Sequence, residues 1–443
     1  MNKGFMQTFA IILLILSSLL LLSIRFEIFI LSGIRDVSFI SDKSALRYSV
    51  RPESIVIRSG QENSTKIIDK NGLYYMDIYN VLGNALKKKH RIEKINLSEY
   101  RAMKDSKSII MNFDPAIDQR LLYGSLFLQD GTIGEIDTIK EIILPQNNKA
   151  SIYIQGADLA CYEIKTAIIS TLQNFENWSL GSGQSKYYTI GERFPQYTDS
   201  DVLISDEVRL SSYVTEPLFD EDSINAILRN IFGSKYDYSN RISETDGSLI
   251  LNYDYGREII KVSPEGKVYY KNQTALANSK RTSLTEASSA AMGFLSALTG
   301  DRNNYVIEEV KEIKQGDSVG YEFGLSLREN GIRLSLKNDQ PPIKIAIVNG
   351  KVLSMEGIFR KTTIAVDNNL AFGENAILYL LEQNIDYIRS KEPFETAADL
   401  FQKINSVEYA YIYSENYNYI ACIKMKIGKT TFFFKISDAQ VVR

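Results

Sequence analysis

Apolar positions along the chain follow two patterns. The first is one unbroken run. Residues 5–24 read FMQTFAIILLILSSLLLLSI, a stretch without a charge and about as long as a helix needs to cross some 30 Å of hydrocarbon. Lys3 precedes it, and Arg25 and Glu27 follow. The weakly positive front end predicts an uncleaved single-pass anchor with Met1 in the cytoplasm and the bulk of the chain outside the cell membrane. A cleaved signal peptide would have a shorter apolar core and a small-x-small site, whereas Ser23 has Leu21 two positions before it. Apart from Glu27, residues 26–34 stay apolar and extend the segment along the outer interface. Small and polar residues let membrane helices approach closely, so Ser17, Ser18 and Ser23 are the candidate contacts with a partner helix.

The second pattern is periodic. Residues 77–91 place Ile78, Val81, Leu82, Ala85 and Leu86 on one helical face, with Lys87, Lys88, Lys89 and Arg91 in the last turn, near the negative end of the dipole. Residues 161–175 place Ile164, Ala167, Ile168, Leu172 and Phe175 on another. Further helices are predicted over 220–232, 372–388 and 396–404. Ser283-Leu-Thr-Glu286 is a capping box that opens a helix, and Gly300 can close it. Strand-like runs fall at 54–58, 108–113, 248–253, 258–262, 267–270, 306–313, 319–328, 332–336, 343–348, 351–359, 407–413, 419–427 and 430–436. Asn330-Gly331 and Asn349-Gly350 are hairpin signatures, and the GSGQS at 181–185 reads as a linker. Helices alternating with antiparallel meanders give an α+β class. The expected order is a membrane anchor and juxtamembrane segment at 1–35, then three extracytoplasmic α+β domains with antiparallel sheets and packed helices at 36–180, 186–281 and 282–443.

Composition narrows the chemistry. The 443 residues suit roughly three domains at about 150 each. With 44% hydrophobic and 24% charged residues the chain is built to fold. Its 51 basic and 54 acidic side chains leave −3, so no overall basic balance points to nucleic acid. One histidine and two cysteines argue against a His/Cys zinc site, and only His90 could serve as a histidine base. No dinucleotide fingerprint, phosphate loop, zinc-protease helix or serine elbow appears. Asp220, Glu221 and Asp222 read as acids in a helix's first turn. Cys161 and Cys422 read as two buried free thiols. Phe432, Phe433 and Phe434 are consecutive and cannot share one strand face, which leaves one of them exposed or against a neighbouring domain. No catalytic, cofactor-binding or metal-ligating residue is assigned, and a tethered binding or regulatory protein is favoured over an enzyme. Two alternatives stay open: a tethered carboxylate hydrolase, because 54 acids always contain pairs, and a module binding wall polymer or anionic lipid through Lys87, Lys88, Lys89 and Arg91.

Several strings resemble one family. Arg51-Pro-Glu-Ser-Ile-Val-Ile-Arg, with the stretch 73–86, resembles the first extracellular domain of the YycH regulatory proteins. Pro217-Leu-Phe, the helix after it and Thr245-Asp-Gly-Ser-Leu-Ile-Leu-Asn-Tyr resemble their central block. Val262-Ser263-Pro264 stands near the end of that block but out of the family's register. The closing run, Tyr409-Ala-Tyr-Ile-Tyr through Gly428-Lys-Thr-Thr-Phe-Phe-Phe, is similar to the domain that YycH shares with YycI. The likeness covers nearly the whole chain and rests on the order of elements and short strings. It implies three α+β domains hung outside the membrane from one helix. It implies as partners a sensor histidine kinase like YycG (WalK), of the YycF/YycG (WalR/WalK) cell-wall system of low-GC Gram-positive bacteria, and a YycI-like single-pass protein. It implies no catalysis and no cofactor. Residues 9–24 would carry the helix face that meets kinase or YycI.

Overall fold

The computed structural model describes residues 43–58, 64–67, 69, 72–87, 90–128, 136–146, 150–166, 187–205, 208–219, 221–276, 281–300, 304–366, 369–370 and 376–442. The expected anchor, with Ser17, Ser18 and Ser23, and the expected linker at 181–185 lie outside them. Among the described residues no helix is long and apolar enough to cross a membrane.

The class is α+β, with one antiparallel and one mixed sheet carrying most of the strands. Nine strands form the antiparallel sheet, in the order Arg91–Ile95, Cys161–Lys165, Ser151–Gly156, Thr138–Pro145, Ser108–Asp118, Ser54–Arg58, Ser64–Ile67, Tyr187–Thr189 and Leu203–Ser205. The larger sheet has fourteen. It begins with the meander Asn240–Ser243, Leu249–Tyr253, Glu258–Val262 and Lys267–Asn272, whose last strand pairs with Lys351–Ile358. One sheet therefore holds strands from both sides of the expected boundary between 281 and 282. Ile343–Val348 and Ser318–Glu329 follow. Ser318–Glu329 also pairs with Ile332–Ser335, which lies parallel to Ile404–Tyr413, and Tyr419–Ile427 and Thr430–Lys435 complete that end. Asn330 and Gly331 (φ 51° and 82°) and Asn349 and Gly350 (φ 53° and 73°) turn their hairpins in the left-handed conformations that the sequence anticipates.

Two large cores result. One joins the inner face of the nine-stranded sheet and the helices Leu73–Leu86 and Gln119–Ser125 to the helices Glu221–Phe232 and Leu284–Thr299 and the strands beneath them. The other lies under Ala376–Gln383, Ile385–Lys391 and Ala397–Gln402, against the strands from residue 404 to 435. Cys161 and Cys422 are both buried and unpaired, and burial pushes both thiols up from their ordinary range.

Three helix assignments are corrected. The helix expected over 77–91 runs Leu73–Leu86, because Tyr75 is buried and carries the apolar face a turn further forward. Lys87 is its C-cap, and Arg91 begins the strand Arg91–Ile95 rather than ending a helix. The expected helix at 161–175 opens instead as the strand Cys161–Lys165, whose Cys161, Tyr162 and Ile164 are all buried. A run of five residues holds too few positions to separate a period of 2 from one of 3.6. The expected helix at 372–388 is two helices broken at Asn384. That side chain donates to the Leu380 and Ala439 carbonyls, both at 2.8 Å, and accepts from the Val441 amide at 3.1 Å. A buried amide that secures the C-terminal tail in this way outweighs helical continuity.

Candidate functional site

The most concentrated chemistry is a buried ionic seam where the nine-stranded sheet meets the C-terminal end of the larger one. Strand alternation sets it up. In Tyr419–Ile427 the residues Ile423 and Met425 point into the second core, so Cys422 and Lys424 point the other way. Glu408 stands directly opposite Lys424 in register, and Ala410 opposite Cys422. Leu334 faces the core, so Arg333 joins the outer face as well. In an isolated sheet this face would meet water. Here it meets Lys66 and Asp114 of the nine-stranded sheet, and Lys424 and Arg333 are only 5% and 3% exposed.

Arg328 and Arg333 stand opposite one another across a strand pair, an arrangement that repulsion disfavours. Acids from both sides offset it. Arg328 donates to Glu53 Oε2 and to the Pro52 carbonyl, each at 2.9 Å. Arg333 places Nε 2.8 Å from Glu308 Oε2, one Nη 3.4 Å from Asp339 Oδ1 and the other 3.3 Å from the Asp339 carbonyl. Lys424 Nζ lies 3.0 Å from Asp339 and 3.3 Å from Asp114. Lys66 is paired with Glu408 and donates to the Val407 carbonyl at 3.3 Å. Three of these pairs, Arg328–Glu53, Lys424–Asp114 and Lys66–Glu408, cross from one sheet to the other.

The acids are not equivalent. Burial raises Asp114, but Lys424 and Arg333 together outweigh it and hold the carboxyl below its ordinary range. Burial pushes Glu408 up despite Lys66. It also pushes Glu308 up to about 7, against the pull of Arg333 and with help from Glu53. Arg333 is close to Glu308 but poorly aimed, and neither carboxyl oxygen of Glu308 has a hydrogen-bond partner in the protein. The crevice beside it is lined by Arg51, Glu53, Phe113, Asp114, Glu308 and Arg328, among others, and encloses about 10 Å³. That is room for about one water, against roughly 300–1,000 Å³ for a ligand pocket. Among the described residues no group of three His, Cys, Asp or Glu could hold a metal ion.

A second polar cluster lies on the outer face of the nine-stranded sheet. Tyr100 donates to Glu141 at 2.9 Å, and Lys104 bridges Glu141 at 2.9 Å and Asp201 at 3.0 Å. It fixes the short helix Leu97–Asp105, which opens on an Asn96–Glu99 capping box.

The surface residues singled out from sequence are not brought into the seam. Lys87 is exposed at its helix end, and Arg91 is exposed with its guanidinium 2.8 Å from Glu93. Lys88 and Lys89 lie outside the described residues. No sequence motif marks the seam. The one available signal is a charged residue inside an apolar run, such as Glu308 in YVIEEV or Lys424 in YIACIKMKI.

These features define an α+β protein with antiparallel and mixed sheets locked together by buried charge. No protein-family model matches the chain, and no curated protein matches it. Among solved structures, an uncharacterized protein from Eubacterium rectale is 12% identical with a TM-score of 0.32, over 53% of this chain and 86% of that one. The Bacillus megaterium YpeB C-terminal domain is 13% identical with a TM-score of 0.26, over 51% of this chain and 96% of that one. Both likenesses are weak.

Proposed function

We propose that the chain is a membrane-anchored, extracytoplasmic accessory regulator of a cell-wall sensor histidine kinase. It acts without catalysis, through its transmembrane helix and its outer domains. The observation that carries this reading is the ordered set of YycH-like strings, spread from Arg51 to Phe434 behind an uncharged apolar run at 5–24. The α+β class agrees with it. So does the seam, since a body tied across its sheets by buried ion pairs can pass force to a helix as one unit. The partners are the kinase and a YycI-like single-pass protein, met in the bilayer.

The test is a double substitution, Ser17→Leu with Ser18→Leu, which fills the small positions and keeps the segment apolar. Kinase and YycI-like protein should co-purify less from membranes, and kinase output should change. Unchanged co-purification and output would remove the helix-contact proposal.

A further inference from the structure

We propose that Glu308 is a proton-operated latch on the seam: protonated, it keeps the nine-stranded sheet docked against the C-terminal end of the larger one, and ionised, it draws water into the crevice and loosens that docking. The reason is a shortage of donors. An ionised carboxylate needs several hydrogen bonds when buried, whereas a carboxylic acid needs far fewer. Glu308 is 3% exposed and has no aligned donor on either oxygen.

The cations packed around it have other partners, and the one that touches it, Arg333, sits with Nε 2.8 Å away and no aligned hydrogen bond. On Ser318–Glu329, Arg328 is taken by Glu53 and Pro52. On Ile332–Ser335, Arg333 reaches Asp339, in the turn that follows, with both terminal nitrogens. On Tyr419–Ile427, Lys424 is held by Asp339 and Asp114. From the nine-stranded side come Arg51, Glu53 and Asp114 along the crevice wall. Glu53 adds repulsion to the ionised state of Glu308, and burial places the transition near neutrality, at about 7.

The position makes the proton matter. The crevice beside Glu308 lies between Phe113 and Asp114 on one side and Val306, Ile307 and Arg328 on the other, and it already has space for about one water. Solvating an ionised Glu308 there pushes directly on the Arg328–Glu53 and Lys424–Asp114 links. The latch does not depend on the kinase reading, and loss of kinase co-purification would leave it standing.

Hydrogen–deuterium exchange of the full chain in detergent micelles, at pH 6 and pH 8.5 with times corrected for intrinsic exchange, is the test. Peptides covering Ser54–Arg58 and Ser108–Asp118 should lose protection by roughly tenfold or more at the higher pH, while Glu258–Val262, away from the seam, should not. Glu308→Gln should remove that difference. An unchanged difference in the Gln variant, or none in the wild type, would overturn the latch. If the variant does not fold, infrared titration of the unaltered protein decides. A buried protonated carboxyl band that fades between pH 6 and 8.5 supports the latch, and its absence at pH 6 refutes it.

Discussion

Glu308 shows how one buried side chain sets a pH response. Its folded-state value, about 7, lies above the ordinary 4.5, so between those values the folded protein holds more proton than the unfolded chain. The stabilisation is fully present below about pH 4.5 and is lost as pH rises through 7. Asp114 works the other way. Its carboxyl is held down by Lys424 and Arg333 once burial is outweighed, so its contribution is present above the ordinary range and disappears only in acid. Urea unfolding followed from pH 5 to 8 should therefore show stability falling, on the order of 3 kcal/mol from Glu308. The curve of Glu308→Gln should be flatter over the same range. Two curves with the same slope would mean that another group carries the response.

Among the elements, Leu284–Thr299 is the most explicit. Ser283 accepts from the Glu286 amide at 3.2 Å, Glu286 accepts from the Ser283 amide at 3.1 Å, and Gly300 ends the helix at φ 73°. Ser283→Ala should cost about 1 kcal/mol, read as a lower urea midpoint with an unchanged slope. No loss would show that the packed face alone holds the helix. This helix was legible because cap, apolar stripe and stop agree over sixteen residues. The strands Ser54–Arg58, Glu258–Val262, Ile343–Val348 and Tyr419–Ile427 were legible to the residue, since short β-branched runs were bounded by turn formers. Cys161–Lys165 was not, because its alternation spans only five residues and Ile164 also falls in step with the apolar positions that follow it in sequence. Phe433 was half legible. It does turn away from Phe432 and Phe434, and of the two outcomes expected for it, exposure or contact with a neighbouring domain, exposure does not occur, since it is buried with Ala410, Ile412 and Cys422.

On the scale of the whole molecule, the seam was hidden from sequence because its partners lie hundreds of positions apart, with Lys66 meeting Glu408 and Asp114 meeting Lys424. Alternation alone sends Lys424 and Arg333 to solvent. Only the docking of the two sheets turns that face inward and makes its charges interdependent. The proposed role adds one further requirement, that this docked body sits outside the cell on a retained helix. Protease treatment of intact protoplasts, followed by blotting for the first and last parts of the chain, tests that requirement directly. The account predicts that residues beyond about 36 are digested from outside while a short N-terminal fragment stays with the membrane. A C-terminal body protected until the protoplasts are lysed, or recovered free in the medium without residues 1–24, would contradict it.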